Sequence, residues 1–310
     1  MDGLKIISGN SNRPLAEKIA GQMGLDLCDV TLDRFADGEI RCKINENIRG
    51  VDVFIVQSTQ PPAENLMELL ILIDACFLAS AERITVVIPY YGYARQDRKD
   101  QPRVPLTAKL VAKLIEAAGS NRALTLDLHS TQIQGFFNIQ ADNLFAAPVL
   151  LEYIRSLRPG NMMIVAPDVG STKMVRAFAK RLNVDMAIVD KRRSDVDKTE
   201  VMNIIGDVRG KDVVILDDMI STASTLVNGA NAIAKAGAKS IIACATHPIF
   251  AGDACKRVMD SPIQDVVVTN SVPFNRMQLC PKVMVLDVSE LMAEAIKRIH
   301  YNESVSTLFV

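Results

Sequence analysis

Apolar runs of strand length, each ending in polar or turn-forming residues, alternate along this chain with stretches whose apolar residues recur at helical spacing. That rhythm allows few folds. Strands that alternate with helices pair in parallel, because each crossover helix returns the chain to the same end of the sheet, and the helices then cover its faces. In the first half, strands are expected over residues 4–8, 51–56, 84–89 and 123–128. In the second they are expected over 162–166, 186–189, 212–216, 240–245, 265–269 and 283–288. Helices are expected over 14–21, 107–118, 171–182, 222–235 and 289–299, with Pro14 suited to a first turn and Gly119 and Gly237 to stops. Residues 35–39 read as a turn-rich interruption leading into a hairpin arm over 40–44. Leu66, Leu69, Leu70, Ile73, Cys76 and Phe77 also recur at helical spacing, but Met67, Ile71 and Leu72 make that helix apolar almost all round. Such a helix is expected to be covered by a second layer or by another subunit.

One stretch echoes another. Residues 47–58 (NIRGVDVFIVQS) resemble residues 207–218 (DVRGKDVVILDD), which points to two similar α/β halves. The copies diverge at the strand tip, where Gln57-Ser58 stands against Asp217-Asp218, so only the second half is expected to offer an acidic pair to a ligand. A boundary is expected near 142–148, giving domains 1–145 and 146–310, with the last residues a candidate to return to the first domain.

Composition narrows the class. A chain of 310 residues accommodates two ordinary domains. A formal net charge of −1 leaves no global basic footprint, which argues against a nucleic-acid partner but not against a local cationic patch. The six cysteines form no CxxC pair, and several sit in apolar runs, so buried reduced thiols in a cytoplasmic protein are expected. There is neither a leader pattern nor an apolar run of membrane-spanning length, so no membrane association is expected.

In parallel sheets, ligands gather at the carboxyl ends of the strands. Here those ends carry His129, Asp168, Lys191 with Arg192 and Arg193, Asp217 with Asp218, and His247. After Asp217-Asp218 come small hydroxyl residues, then a helix start. Two carboxylates can accept from ribose hydroxyls while backbone N–H groups and hydroxyls at a helix N-terminus hold a phosphate. The same residues would also suit a buried strand with an acidic turn and a Ser/Thr cap. The basic run 191–193 leads into a polar stretch, 194–199, that reads either as a cationic flap closing over phosphates or as a solvated loop. Arg95, Arg98 and Lys99 lie beside Tyr90, Tyr91 and Tyr93, a composition fit for a nucleotide. His129 and Asp168 do not make a zinc cage; they suit Mg²⁺, which keeps most of its waters. Neither GxxxxGK[ST] nor GxGxxG occurs.

Several segments together resemble the ribose-phosphate diphosphokinase (phosphoribosyl pyrophosphate synthetase) family. They are FADGE at 35–39, NLMELLILID at 65–74, PYYGYARQDRK at 89–99, DLHSTQIQGFF at 127–137, DKRR at 190–193, EVMNIIG at 200–206 and the stretch 213–226. The resemblance implies two domains of the type I phosphoribosyltransferase fold. It implies transfer of a diphosphoryl group from Mg-ATP to the 1-hydroxyl of ribose 5-phosphate, giving phosphoribosyl pyrophosphate and AMP. Carried over by motif, Phe35, Asp37, Gly38 and Glu39 would contact ATP from a neighbouring subunit, with Phe35 stacking on adenine; Arg95 and Gln96 would also hold ATP. His129 and Asp168 would serve the metal–substrate assembly, His129 as part of the catalytic machinery. Lys191 and Arg193 would stabilise the transition state, Arg193 also touching ribose 5-phosphate. Asp217 and Asp218 would hold the ribose hydroxyls, and Ser221, Thr222, Ala223, Ser224 and Thr225 the 5′-phosphate. A homohexamer built from dimers, with inorganic phosphate and ADP as effectors, is likewise implied.

The chain departs from the family pattern in two loops. In DDxxDTxGT, Ser221 stands for an acidic residue and Ser224 for a glycine that permits close backbone approach or φ > 0. Ser171 falls in the turn after Asp168, which is usually Gly-rich. Both departures bear on affinity for the sugar phosphate. Two alternatives share part of the pattern. A non-catalytic relative would be expected to lack the flap and metal residues kept here. An ordinary phosphoribosyltransferase would need neither FADGE nor YGYARQDRK.

Overall fold

The computed structural model describes residues 3–157, 160–193, 200–274 and 280–309. The chain runs β1 (Leu4–Ser8), α1 (Arg13–Gln22), β2 (Val30–Arg34), β3 (Ile40–Ile44), β4 (Asp52–Val56), α2 (Glu64–Leu78), β5 (Arg83–Ile88), α3 (Thr107–Ala117), β6 (Arg122–Leu126) and β7 (Gln140–Leu144). It continues through α4 (Ala147–Ser156), β8 (Met162–Ala166), α5 (Thr172–Leu182), β9 (Asp185–Arg193), β10 (Glu200–Ile205), β11 (Asp212–Ile220) and α6 (Ser224–Lys235). Last come β12 (Ser240–Pro248), α7 (Ala254–Met259), β13 (Asp265–Thr269), β14 (Val283–Leu286) and α8 (Ser289–His300). Contacts divide the chain into two compact units: Met1–Ala146 with Ser271–Pro273 and Val288–Val310, and Ala147–Asn270 with Phe274–Asp287.

The first unit holds a five-stranded parallel sheet, β1-β4-β5-β6-β7, and the antiparallel hairpin β2–β3. All five residues of β4 are buried, as expected for a central parallel strand covered on both faces. On one face Ile7, Val53, Ile55, Val86 and Ile88 pack with Leu69, Leu72, Ile73 and Cys76 of α2 and Val111 and Ile115 of α3. Each of these Val, Ile and Leu side chains contributes about 1.5–3 kcal/mol on burial. α1 packs on β1 and carries α8. The end of α8 is fastened by one carboxylate. Asp52 accepts from Arg83 Nε at 2.9 Å and from Arg83 Nη2, lies 2.8 Å from His300 Nδ1, and Arg83 also donates to Ile299 O at 3.1 Å. Of the helix expected to be covered by a second layer or by another subunit, one side stays open within the single chain, where Met67, Phe77 and Leu78 are 53%, 60% and 72% exposed.

The second unit holds a seven-stranded sheet, β10-β9-β8-β11-β12-β13-β14, parallel except for the antiparallel edge strand β10. Val165, Val189, Val213, Ile215 and Ala243 form a core with Leu226, Ala230 and Ile233 of α6 and Ala254 and Val258 of α7. α5 packs on β8, β9 and β11 and carries α4.

The sequence echo is a structural one. Arg49 and Arg209 each donate a backbone N–H, at 3.1 Å, to the side chain two residues earlier, Asn47 or Asp207. Gly50 and Gly210 both have φ +68, and Val51 and Lys211 donate to Ile48 O and Val208 O, both at 3.1 Å. The strands that follow, β4 and β11, are both interior, between β1 and β5 and between β8 and β12.

Three strands run past their expected ends. β9 extends to Arg193, β11 to Ile220 and β12 to Pro248. Asp217, Asp218 and His247 are therefore strand residues rather than turn residues, with Met219 paired to His247 and Ile220 to Pro248. A parallel neighbour satisfies the backbone of a polar residue as well as that of an apolar one, so a charge alone does not end a strand.

Candidate active site

The chain steps from β8 to β9 on one side and, after β10, to β11 on the other, so β8 and β11 flank the point where strand order reverses. Open parallel sheets bind ligands outside the carboxyl ends at such a point. Asp168 follows β8, and Asp217 and Asp218 lie in β11. Between them stands Ser171, whose hydroxyl donates to Asp217 Oδ1 at 2.8 Å and whose N–H donates to Asp168 Oδ1 at 3.1 Å. Burial pushes the Asp217 carboxyl up to about 7; the charges of Asp218 and Asp168 push the same way, and the Ser171 hydroxyl opposes them.

β11 leads through Ser221-Thr222-Ala223 into α6. The left-handed residue of this turn is Ala223, with φ +59, and not Ser224, which is the first residue of the helix. The glycine-like demand expected at 224 thus falls one residue earlier. No side chain among the described residues caps α6, so its first-turn N–H groups stay available to an anion. Ile220 O accepts from Ile249 N and Phe250 N, and Ser221 O from Ala251 N, which ties the turn to the loop after β12. From α7, Arg257 Nη1 donates to Thr222 O at 2.9 Å and to Ser224 Oγ at 2.5 Å. A guanidinium at this turn adds positive charge beside those N–H groups.

In the first unit, Phe35–Glu39 form the tip of the β2–β3 hairpin. Phe35 N donates to Glu39 O and Gly38 N to Phe35 O, both at 2.9 Å, and Gly38 takes φ +96. Asp37 Oδ1 accepts from Glu39 N at 3.1 Å. Phe35 is 52% exposed, with the Arg41 guanidinium 5.7 Å from the centre of its ring. Arg95 and Gln96 are exposed on the loop after β5. That loop is anchored where Tyr91 donates to Ala108 O at 2.8 Å and where a Cβ on Gly92 would lie 2.0 Å from Thr59 O. Tyr90 and Tyr91 are buried, so of the three tyrosines only Tyr93 is open to a nucleotide. His129 is exposed just beyond β6, after Asp127 at φ +40.

The backbone of Lys191 and Arg193 lies in β9, opposite Met202 and Glu200. The flap expected over 194–199 lies outside the described residues. Asp168, Asp217 and Asp218 are brought to one end of one sheet, and 221–225 adjoin them in the chain. His129, Phe35–Glu39, Arg95 and Gln96 belong to the other unit. Ser171, Arg257 and Arg41 were not singled out from the sequence for these contacts. Ser171 had a signal, as a departure in the turn after Asp168; Arg257 and Arg41 had none.

The family model described as the N-terminal domain of ribose phosphate pyrophosphokinase matches residues 4–119, and that of the phosphoribosyl synthetase-associated domain matches 192–310. Ribose-phosphate pyrophosphokinase of Chlorobaculum tepidum is 53% identical, over 99% of this chain and 95% of its own length. That of Thermotoga maritima is 52% identical, over 99% and 98%. The crystal structure of phosphoribosylpyrophosphate synthetase from Mycobacterium smegmatis superposes with a TM-score of 0.92 at 36% identity, covering 97% of this chain and all of that one. No helix among the described residues is long and apolar enough to cross a membrane. With nearly its whole length matched at about half identity, this chain is an enzyme of the ribose-phosphate pyrophosphokinase family.

Proposed function

We propose that this enzyme transfers the diphosphoryl group of Mg-ATP to the 1-hydroxyl of ribose 5-phosphate, giving phosphoribosyl pyrophosphate and AMP. The observation that carries this reading is the pairing of the β11 carboxylates with an uncapped helix start, at the point where strand order reverses. In this reading Asp217 and Asp218 accept the ribose hydroxyls. The 221–225 turn and the first N–H groups of α6 hold the 5′-phosphate. Phe35, Asp37, Gly38, Glu39, Arg95 and Gln96 hold ATP, so the two units have different tasks. The sugar oxygen attacks the β-phosphorus while the bond to the α-phosphate oxygen breaks and AMP leaves. Such a displacement needs positioning and charge neutralisation more than covalent help. Lys191 and Arg193 supply cations for it, and His129 and Asp168 serve the metal–substrate assembly.

The donor set suits a hard cation. The metal residues of this reading, Asp168 and His129, offer a carboxylate and an imidazole, and among the described residues no group of three or more His, Cys, Asp or Glu could hold a metal by itself. That fits Mg²⁺, which takes few protein ligands and, when bound, neutralises phosphate oxygens. The reading extends to a cytoplasmic homohexamer of dimers with inorganic phosphate and ADP as effectors. Exposed Met67, Phe77 and Leu78 on α2 and Leu110 on α3 support a self-association surface. AMP formation from ATP and Mg²⁺, assayed with and without ribose 5-phosphate, tests the reaction. Sugar-dependent AMP is the expected result, and its absence at saturating substrates overturns the reading.

A further inference from the structure

The turn after β8 contains a hydroxyl to which none of these roles assigns a task. Ser171 is buried, and its single proton goes to Asp217 Oδ1 at 2.8 Å, the contact with Asp168 Oδ1 being longer at 3.3 Å. Asp217 Oδ1 also accepts from Asp218 N at 3.0 Å. Both bonds fall on the same oxygen, and among the described residues Oδ2 accepts none. The carboxylate is gripped through one atom and presents the other.

The first unit repeats the grip with the opposite outcome. Ser11 Oγ donates to Gln57 Oε1 at 2.7 Å, as Ser171 does to Asp217. The remaining atom of that side chain, Gln57 Nε2, is used up by Glu68 Oε1 at 2.8 Å and Asn65 O at 3.1 Å. The same serine-to-strand-tip bond therefore fixes a closed internal network in one unit and leaves an acceptor open in the other.

We propose that Ser171 is a positioning residue for the pentose, holding Asp217 so that Oδ2 faces a ribose hydroxyl. This rests on the reading of Asp217 as a sugar-binding carboxylate. The terminal torsion of a carboxylate is broad, so without the serine the acceptor spreads over orientations that do not meet the sugar. The effect falls on the sugar side, because the short hydroxyl bond goes to Asp217, while Asp168 keeps the Ser171 N–H, which a side-chain substitution does not remove.

The test compares Ser171→Ala, Ser171→Thr and Asp217→Asn with the wild-type enzyme. Ribose 5-phosphate binding is measured by calorimetry without ATP, and KM for each substrate by AMP formation. Ser171→Ala is expected to weaken sugar-phosphate binding about tenfold, with KM for ATP nearly unchanged. Ser171→Thr, which keeps the hydroxyl, is expected to recover most of the loss. If Ser171→Ala binds ribose 5-phosphate like wild type while Asp217→Asn does not, the role of Ser171 is overturned and that of Asp217 stands. If Asp217→Asn also binds normally, the sugar-binding reading of Asp217 is overturned. Equal weakening of both substrates by Ser171→Ala marks a purely structural serine and overturns the proposal. If the alanine variant fails to fold, Ser171→Gly, which fits any turn conformation, is judged by the same outcomes.

Discussion

Gln57 and Asp217 occupy the same point of two repeated strand segments, and each takes a serine hydroxyl on one side-chain oxygen, at 2.7 and 2.8 Å. The neutral amide of Gln57 is fully buried, and its Nε2 faces the carboxylate of Glu68. Gln57→Glu would set two carboxylates against each other in that site and remove the donor. A loss of about 3 kcal/mol or more is expected. Urea denaturation of the two proteins checks it; a midpoint that does not move would mean that Glu68 is not held as described.

Ala223 carries the left-handed turn before α6. A β-branched side chain tolerates that conformation poorly, at a strain of about 1–3 kcal/mol, whereas glycine accepts it freely. Ala223→Val is therefore expected to raise KM for ribose 5-phosphate about tenfold, and Ala223→Gly to leave it near wild type. Equal KM values for the two variants would separate the turn from sugar-phosphate binding.

Asp217 adds a pH dependence whose sign is fixed. Its folded value is raised from 3.8 to about 7. Between those values the folded chain holds a proton that the unfolded chain has lost, so this group's contribution to stability falls as pH rises across the window. Asp217→Asn cannot ionise and escapes the penalty. Its melting temperature relative to wild type, without ligands, should rise between about pH 4 and pH 7 and then level off. A difference that stays flat across that range would show that burial does not govern this carboxyl.

Asp52 holds Arg83 and His300 at the end of α8. Asp52→Asn leaves a partly buried guanidinium without its counter-charge, at a cost of about 3 kcal/mol. Faster proteolysis near the C-terminus should accompany the loss. A variant as stable and as protease-resistant as wild type would show that α8 is held by apolar packing alone.

The role proposed for Lys191 predicts that Lys191→Ala lowers kcat by an equivalent of about 3–4 kcal/mol while KM for ATP changes less. Single-turnover kinetics separate the two effects. Near-normal turnover would remove Lys191 from the mechanism.

Much of the fold was legible because its signals are local. The runs at 4–8, 162–166 and 265–269 are β1, β8 and β13 to the residue, since mainly apolar runs of strand length bounded by polar or turn residues carry their own boundaries. β2, β7 and β10 were not read as strands, because edge and hairpin strands mix polar and apolar residues without a strong period. β11 and β12 run beyond their expected ends because partners on neighbouring strands, not composition, decide how far a ladder runs.

The sequence by itself determined the alternation of strands and helices, the duplication, the family, and the residue types offered for sugar, phosphate and metal. Those are written in patterns a few residues long. Tertiary structure alone decided that Ser171 reaches Asp217 across 46 positions and Arg257 reaches Ser224 across 33. It also put the left-handed backbone at Ala223 rather than Ser224. Each depends on which strands lie side by side and in what register, and the free energy that selects a register comes from burying whole faces rather than from any one residue.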